Sequence, residues 1–142
     1  GVTATPEMID GLSVGYARGE TSARAAEPKV DATESTLYAK YAIGSLTLGY
    51  QVSENDSPTV GASSDSKAMG VTYAVTPDFS VGYNTHKLNL ENDPDEQKSV
   101  GLSASFTMGS MTLGGAKNKV SNIANVAASD VDGYEFTLGF AF

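Results

Sequence analysis

Apolar and polar residues alternate position by position through most of this chain. In Leu46-Thr-Leu-Gly-Tyr-Gln-Val52 every second residue is apolar, and Thr47, Gly49 and Gln51 fall between them. Side chains at period two belong to a β-strand, whereas a helix would space its apolar residues by three and four. The end of the chain repeats the pattern: Phe136, Leu138, Phe140 and Phe142 share one parity, Glu135, Thr137, Gly139 and Ala141 the other.

Alternation predicts eight strands, at about 11–19, 36–44, 45–53, 68–76, 79–87, 99–108, 110–117 and 133–142. Short turns are expected near 10, 44, 77 and 109, where Gly44-Ser45, Thr76-Pro77-Asp78 and Gly109-Ser110 supply turn-forming residues. Long loops are expected at 20–35, 54–67, 88–98 and 118–132, rich in Asp, Glu, Asn, Ser and Ala. The hairpins repeat: Tyr41-Ala-Ile-Gly-Ser-Leu-Thr-Leu-Gly-Tyr50 is echoed at Tyr73–Tyr83 and Phe106–Gly115, and Thr5–Tyr16 reads as the tail of a fourth copy. Gly15, Gly49, Gly82 and Gly114 mark the period, at spacings of 34, 33 and 32 residues. Gly1–Thr5 reads as the end of an earlier strand.

The polar parity decides what kind of sheet this is. A soluble sandwich exposes a face dense in Lys, Arg, Asp and Glu, roughly a quarter to a third of its surface. Here that face offers almost only Lys40, His86 and Glu135 among Gly, Ser, Thr, Ala, Asn and Gln. Charge has been pushed into the loops. An antiparallel transmembrane β-barrel fits this better than a soluble β-sandwich, and short turns alternating with long loops match the periplasmic and extracellular ends of such barrels. Strands of nine to eleven residues suit a tilted crossing of the hydrocarbon. A terminal strand ending on a phenylalanine points the same way, since soluble termini fray and carry polar residues. So many small inward residues would leave an eight-stranded barrel hollow, so the chain reads as half of a barrel of roughly 16 strands. A complete small barrel, non-conducting and acting structurally or adhesively through its loops, is the alternative.

Composition narrows the partners. The 142 residues carry a net charge of −8, which disfavours nucleic acid, and contain no cysteine. No run approaches the roughly 18 apolar residues of a membrane-spanning helix. The N-terminus has neither a basic n-region nor an apolar h-region, which suggests a mature chain or a fragment. No Gly-rich phosphate loop, Ser-His-Asp order or metal-ligand spacing is present, so no enzyme, metal or cofactor is expected.

The repeated hairpin at Tyr41–Tyr50, Ser105-Phe-Thr-Met-Gly-Ser-Met-Thr-Leu113 and the terminal Phe136–Phe142 resemble the C-terminal part of a bacterial general outer-membrane porin, most similar to those of alphaproteobacteria. That resemblance implies a homotrimeric, water-filled channel in the outer membrane, passing small hydrophilic solutes passively. It also implies that Phe136, Leu138, Phe140 and Phe142 form the signal read by the outer-membrane assembly machinery. Thr137 stands where the family's signal carries glycine. The charged constriction loop of the family lies in sequence not present here.

Two sets of residues are candidates for function. Tyr38, Lys40, Gln51, Asn84, His86 and Glu135 share the polar parity and are expected to line the channel, where charges tune ion selectivity. Arg18, Lys87 and Lys117 share the apolar parity at strand ends, beside Tyr16, Tyr50 and Tyr83. They are placed to meet lipid and lipopolysaccharide phosphates above an aromatic belt, or simply to be solvated. The acidic run Glu91-Asn-Asp-Pro-Asp-Glu96 reads as a solvated loop or, less well, as a divalent-cation loop.

Overall fold

The computed structural model describes residues 1–22 and 31–141. Part of the expected loop 20–35, and Phe142 of the expected assembly signal, lie outside the described residues. The described chain forms nine strands: β1 Val2–Ala4, β2 Leu12–Ser22, β3 Asp31–Ile43, β4 Leu46–Asp56, β5 Ser64–Thr76, β6 Phe79–Leu90, β7 Gln97–Met108, β8 Met111–Ser121 and β9 Val131–Phe140. A single 3₁₀ turn covers Ile123–Asn125. The strands make one antiparallel sheet whose spatial order is the order of the sequence. β1 and β9 are its two edges, so the sheet is open. β1 pairs Val2, Thr3 and Ala4 with Tyr16, Gly15 and Val14.

Turn chemistry sets the short ends. Gly44 and Gly109 open two-residue turns at φ 54° and 60°, while the serines that follow stay at negative φ. This is the type II′ arrangement, whose twist matches that of the flanking strands. The β5–β6 turn is built differently. Pro77 fixes its first position, the Thr76 hydroxyl accepts hydrogen bonds from the amides of Asp78 (3.3 Å) and Phe79 (3.0 Å), and a bulge between Ala74 and Thr76 corrects the twist.

At the other ends the ladders run beyond the limits set by alternation. β3 begins at Asp31, β5 at Ser64 and β7 at Gln97. Backbone pairing does not need apolar side chains, so it continues into water after the alternation has stopped. A 13-residue strand such as β3 spans about 43 Å, or about 30 Å in height at a tilt near 45°. That height is enough to cross an apolar band of about 25 Å with its interfaces.

The register shows the tilt directly. The row that starts at Leu12, the first residue of β2, passes Tyr41, Leu48, Val71, Tyr83, Leu102 and Lys117. It meets β9 at Tyr134, six residues from the strand's end at Phe140. Such accumulated stagger is the shear that tilted strands of a barrel wall require.

No apolar side chain is buried among the described residues. The accessible surface is 9880 Å², against about 6,900 Å² for a compact protein of this mass. Leu37, Leu48, Tyr50, Phe106, Leu113 and Phe136 all stand exposed on one face. The fold has no core of its own. It is a wall with one apolar and one polar side, and the apolar side calls for lipid or protein against it.

Candidate functional site

The polar side is ordered in register rows. One row runs Ser13, Lys40, Gly49, Gly70, Asn84, Gly101, Asn118 and Gly133. The next, toward the long loops, runs Gly15, Tyr38, Gln51, Ala68, His86 and Ser99. Five of the six residues expected to line a channel therefore sit in two adjacent rows on β3, β4 and β6. Glu135 shares the face but lies on β9, in the row of Thr47, Thr72, Gly82, Ser103 and Ala116.

Between β3 and β6 these rows border a shallow, open hollow of about 440 Å³, with Gly49, Gly70 and Ala68 as its floor. Its walls are Lys40 and Tyr38 on one side and Asn84 and His86 on the other, with Gln51 above and Thr47 and Thr72 below. The glycines explain why it stays open. A Cβ on Gly15 would collide with the Tyr38 ring, and one on Gly101 would collide with the Asn84 amide. Each large side chain leans outward over its glycine, toward β2 and toward β7, away from the space between. A Cβ on Gly49 would meet nothing, and one on Gly70 only the Tyr83 carbonyl oxygen at 4.0 Å.

The β8–β9 connection lies over the same face. Ala124 N–H donates to Gln97 Oε1 (2.9 Å), Asn125 Nδ2 to the Leu88 carbonyl (3.3 Å) and Asn122 Nδ2 to the Glu96 carbonyl (3.1 Å). Gln97 and Leu88 form the row next above His86 and Ser99. The loop thus folds back toward the hollow's upper edge instead of standing free. Four of its non-glycine residues, Asn122, Ala124, Asn125 and Ala128, hold positive φ. Asn125 is 2 % exposed and its Oδ1 has no partner. At the loop's end the Asp130 carboxyl is held below its usual range, first by its contact with Lys119 (3.2 Å) and then by the Asn122 amide (3.3 Å).

On the apolar side the expected headgroup contacts are already engaged within the chain. Arg18 meets Glu20 at 3.3 Å, Lys87 meets Glu96 at 2.7 Å, and Lys117 Nζ lies 5.4 Å from the centre of the Tyr134 ring. Tyr16, Tyr50 and Tyr83 are exposed on this side. Sequence reading missed three further lysines here. Lys67 and Lys98 flank Lys87 in register across three strands, and Lys119 lies diagonally beside Lys98. They fell outside the strand limits drawn from alternation, so their parity was not counted. Three like charges directly opposite one another are unfavourable unless anions relieve them, as Glu96 does for Lys87. The acidic run divides its carboxylates: Glu91 accepts hydrogen bonds from the amides of Gly61 (3.1 Å) and Ser63 (3.4 Å), and Glu96 takes Lys87. Among the described residues no three His, Cys, Asp or Glu side chains come together as a metal site would need.

The architecture matches a known one. A solved structure described as porin refined at 1.8 Å resolution aligns with a TM-score of 0.77 over 99% of this chain and 50% of that one, at 18% identity. The fold is that of a porin wall. The chain spans half the length of that porin. No family model matches the chain, and no curated protein matches it significantly. Among the described residues no helix is long and apolar enough to cross a membrane, and in this fold strands do the crossing.

Proposed function

We propose that this chain is the C-terminal half of a general outer-membrane porin, of the type found in alphaproteobacteria. The channel is water-filled and passes small hydrophilic solutes and ions passively, without catalysis. The observation that carries this reading is the two-sided wall: an exposed apolar face, an inner face of small polar residues, and no core between them. A wide barrel of about 16 strands leaves such a lumen to water. The alignment over half of a solved porin supports the same size. The trimeric state follows from the resemblance, as does the role of Phe136, Leu138, Phe140 and Phe142 in assembly. The register of Lys67, Lys87 and Lys98 supports contact with phosphate-bearing lipid headgroups, including those of lipopolysaccharide, which Arg18 and Lys117 extend to either side.

Conductance across a planar bilayer tests the channel, using native protein extracted in detergent. Stepwise openings in groups of three are expected. A silent bilayer from folded protein would sink this reading and leave a non-conducting barrel. Lys40 stands on the inner wall, so Lys40→Glu should shift the reversal potential toward cation preference. An unchanged potential would place Lys40 outside the region that limits the current.

A further inference from the structure

We infer that the hollow between β3 and β6 is a docking site for a small hydroxylated organic anion of the sugar-acid class, a binding step on the inner wall. The inference rests on the channel reading above. Open diffusion does not require a hollow of this size bordered by a lysine and free of carboxylates. Here the wall is hollowed by the placement of four glycines, not by a break in the ladder. Gly15 and Gly101 let Tyr38 and Asn84 lean away, and Gly49 and Gly70, directly opposite each other, leave the floor bare. The volume, about 440 Å³, falls in the range of about 300–1,000 Å³ occupied by small-molecule sites.

Charge selects the ligand. The chain carries −8 overall, yet no carboxylate lines the hollow, and its one fixed charge is the Lys40 ammonium. The polar groups left facing the hollow are the hydroxyls of Thr47 and Thr72, the carbonyl of the Gln51 amide and the imidazole of His86, since Tyr38 and Asn84 lean away over Gly15 and Gly101. An ammonium as point charge takes a carboxylate, and paired amide and hydroxyl groups take the hydroxyls of a polyol chain. A neutral sugar lacks the partner for Lys40, and chloride lacks partners for the rest. The site opens to the lumen, so binding is weak enough for the solute to leave, as conduction demands.

The test uses gluconate as probe, on the native protein in detergent and in planar bilayers. Saturation-transfer NMR should show gluconate contacts that glucose at equal concentration does not make. In bilayers, gluconate should block potassium chloride current saturably. Lys40→Gln should weaken both effects roughly tenfold. Gly49→Val and Gly70→Val should abolish them by filling the floor. Neither glycine has positive φ, so valine fits the backbone there, and heat-modifiable gel mobility checks that each variant folds. Open channels with no saturable block and no gluconate contacts would overturn the docking site and leave the channel standing. Gluconate contacts on a silent protein would do the reverse. Equal effects of glucose and gluconate, or loss in none of the three variants, would also overturn the site.

Discussion

Single residues on this wall matter mostly through the room they leave. Gly11 is the clearest case, because it holds φ 79° and a Cβ there would collide with the Ala42 carbonyl oxygen. Gly11→Ala should therefore cost about 2 kcal/mol or more, from the left-handed backbone and the displaced β3 end together. Equilibrium unfolding in urea measures this, with Gly19→Ala, where a Cβ meets nothing, as the control expected to change little. Much of this scale was legible in the sequence. Period-two alternation assigned Lys40, Gln51, Asn84 and His86 to one face because a strand leaves each side chain no other choice. What alternation could not show was direction within the face. That Tyr38 leans over Gly15 and Asn84 over Gly101 depends on which cross-strand neighbour lacks a side chain, and so on a register that one strand does not contain.

At the scale of elements, the strands were readable and the β8–β9 loop was not. Its path depends on Ala124 and Ala128 at positive φ, which their residue type does not announce, and on Gln97 and Leu88 of other strands. The loop also carries a pH dependence. The Asp130 carboxyl is depressed by Lys119 and the Asn122 amide, so its contribution is present above the ordinary carboxylate value of 3.8 and is lost as pH falls through its lower folded value. Amide hydrogen exchange of residues 122–130 should quicken at about pH 3 relative to neutrality, beyond the intrinsic rate change. Asp130→Asn should show the quickened exchange already at neutral pH. Equal protection in the variant at neutral pH would mean that the loop is held by Asn122, Asn125 and Gln97 without Asp130.

For the whole molecule, the two faces make opposite demands, and neighbouring residues can be set against each other to show it. Leu48 and Thr47 are adjacent on β4 and point to opposite sides. Leu48→Arg should cost about 2–4 kcal/mol of stability in lipid vesicles, whereas Thr47→Arg, facing water, should cost little and alter conductance instead. Similar costs from the two would contradict the sidedness of the wall. The sheet's sidedness was readable because apolar residues keep to one parity and the other is small and polar, with Lys40, His86 and Glu135 almost its only titratable groups within the alternating segments. The openness of the sheet was foreshadowed only indirectly, by inward residues too small to fill a narrow barrel. One property of the wall reaches beyond this chain. Strand order equals sequence order throughout, and hairpins recur at about 33 residues. A hairpin added to or lost from such a meander disturbs only the pairs beside it, and changes the circumference by a fixed step. Duplication of a single hairpin unit would be enough to widen a barrel closed from such a wall, while every remaining strand keeps its old neighbours.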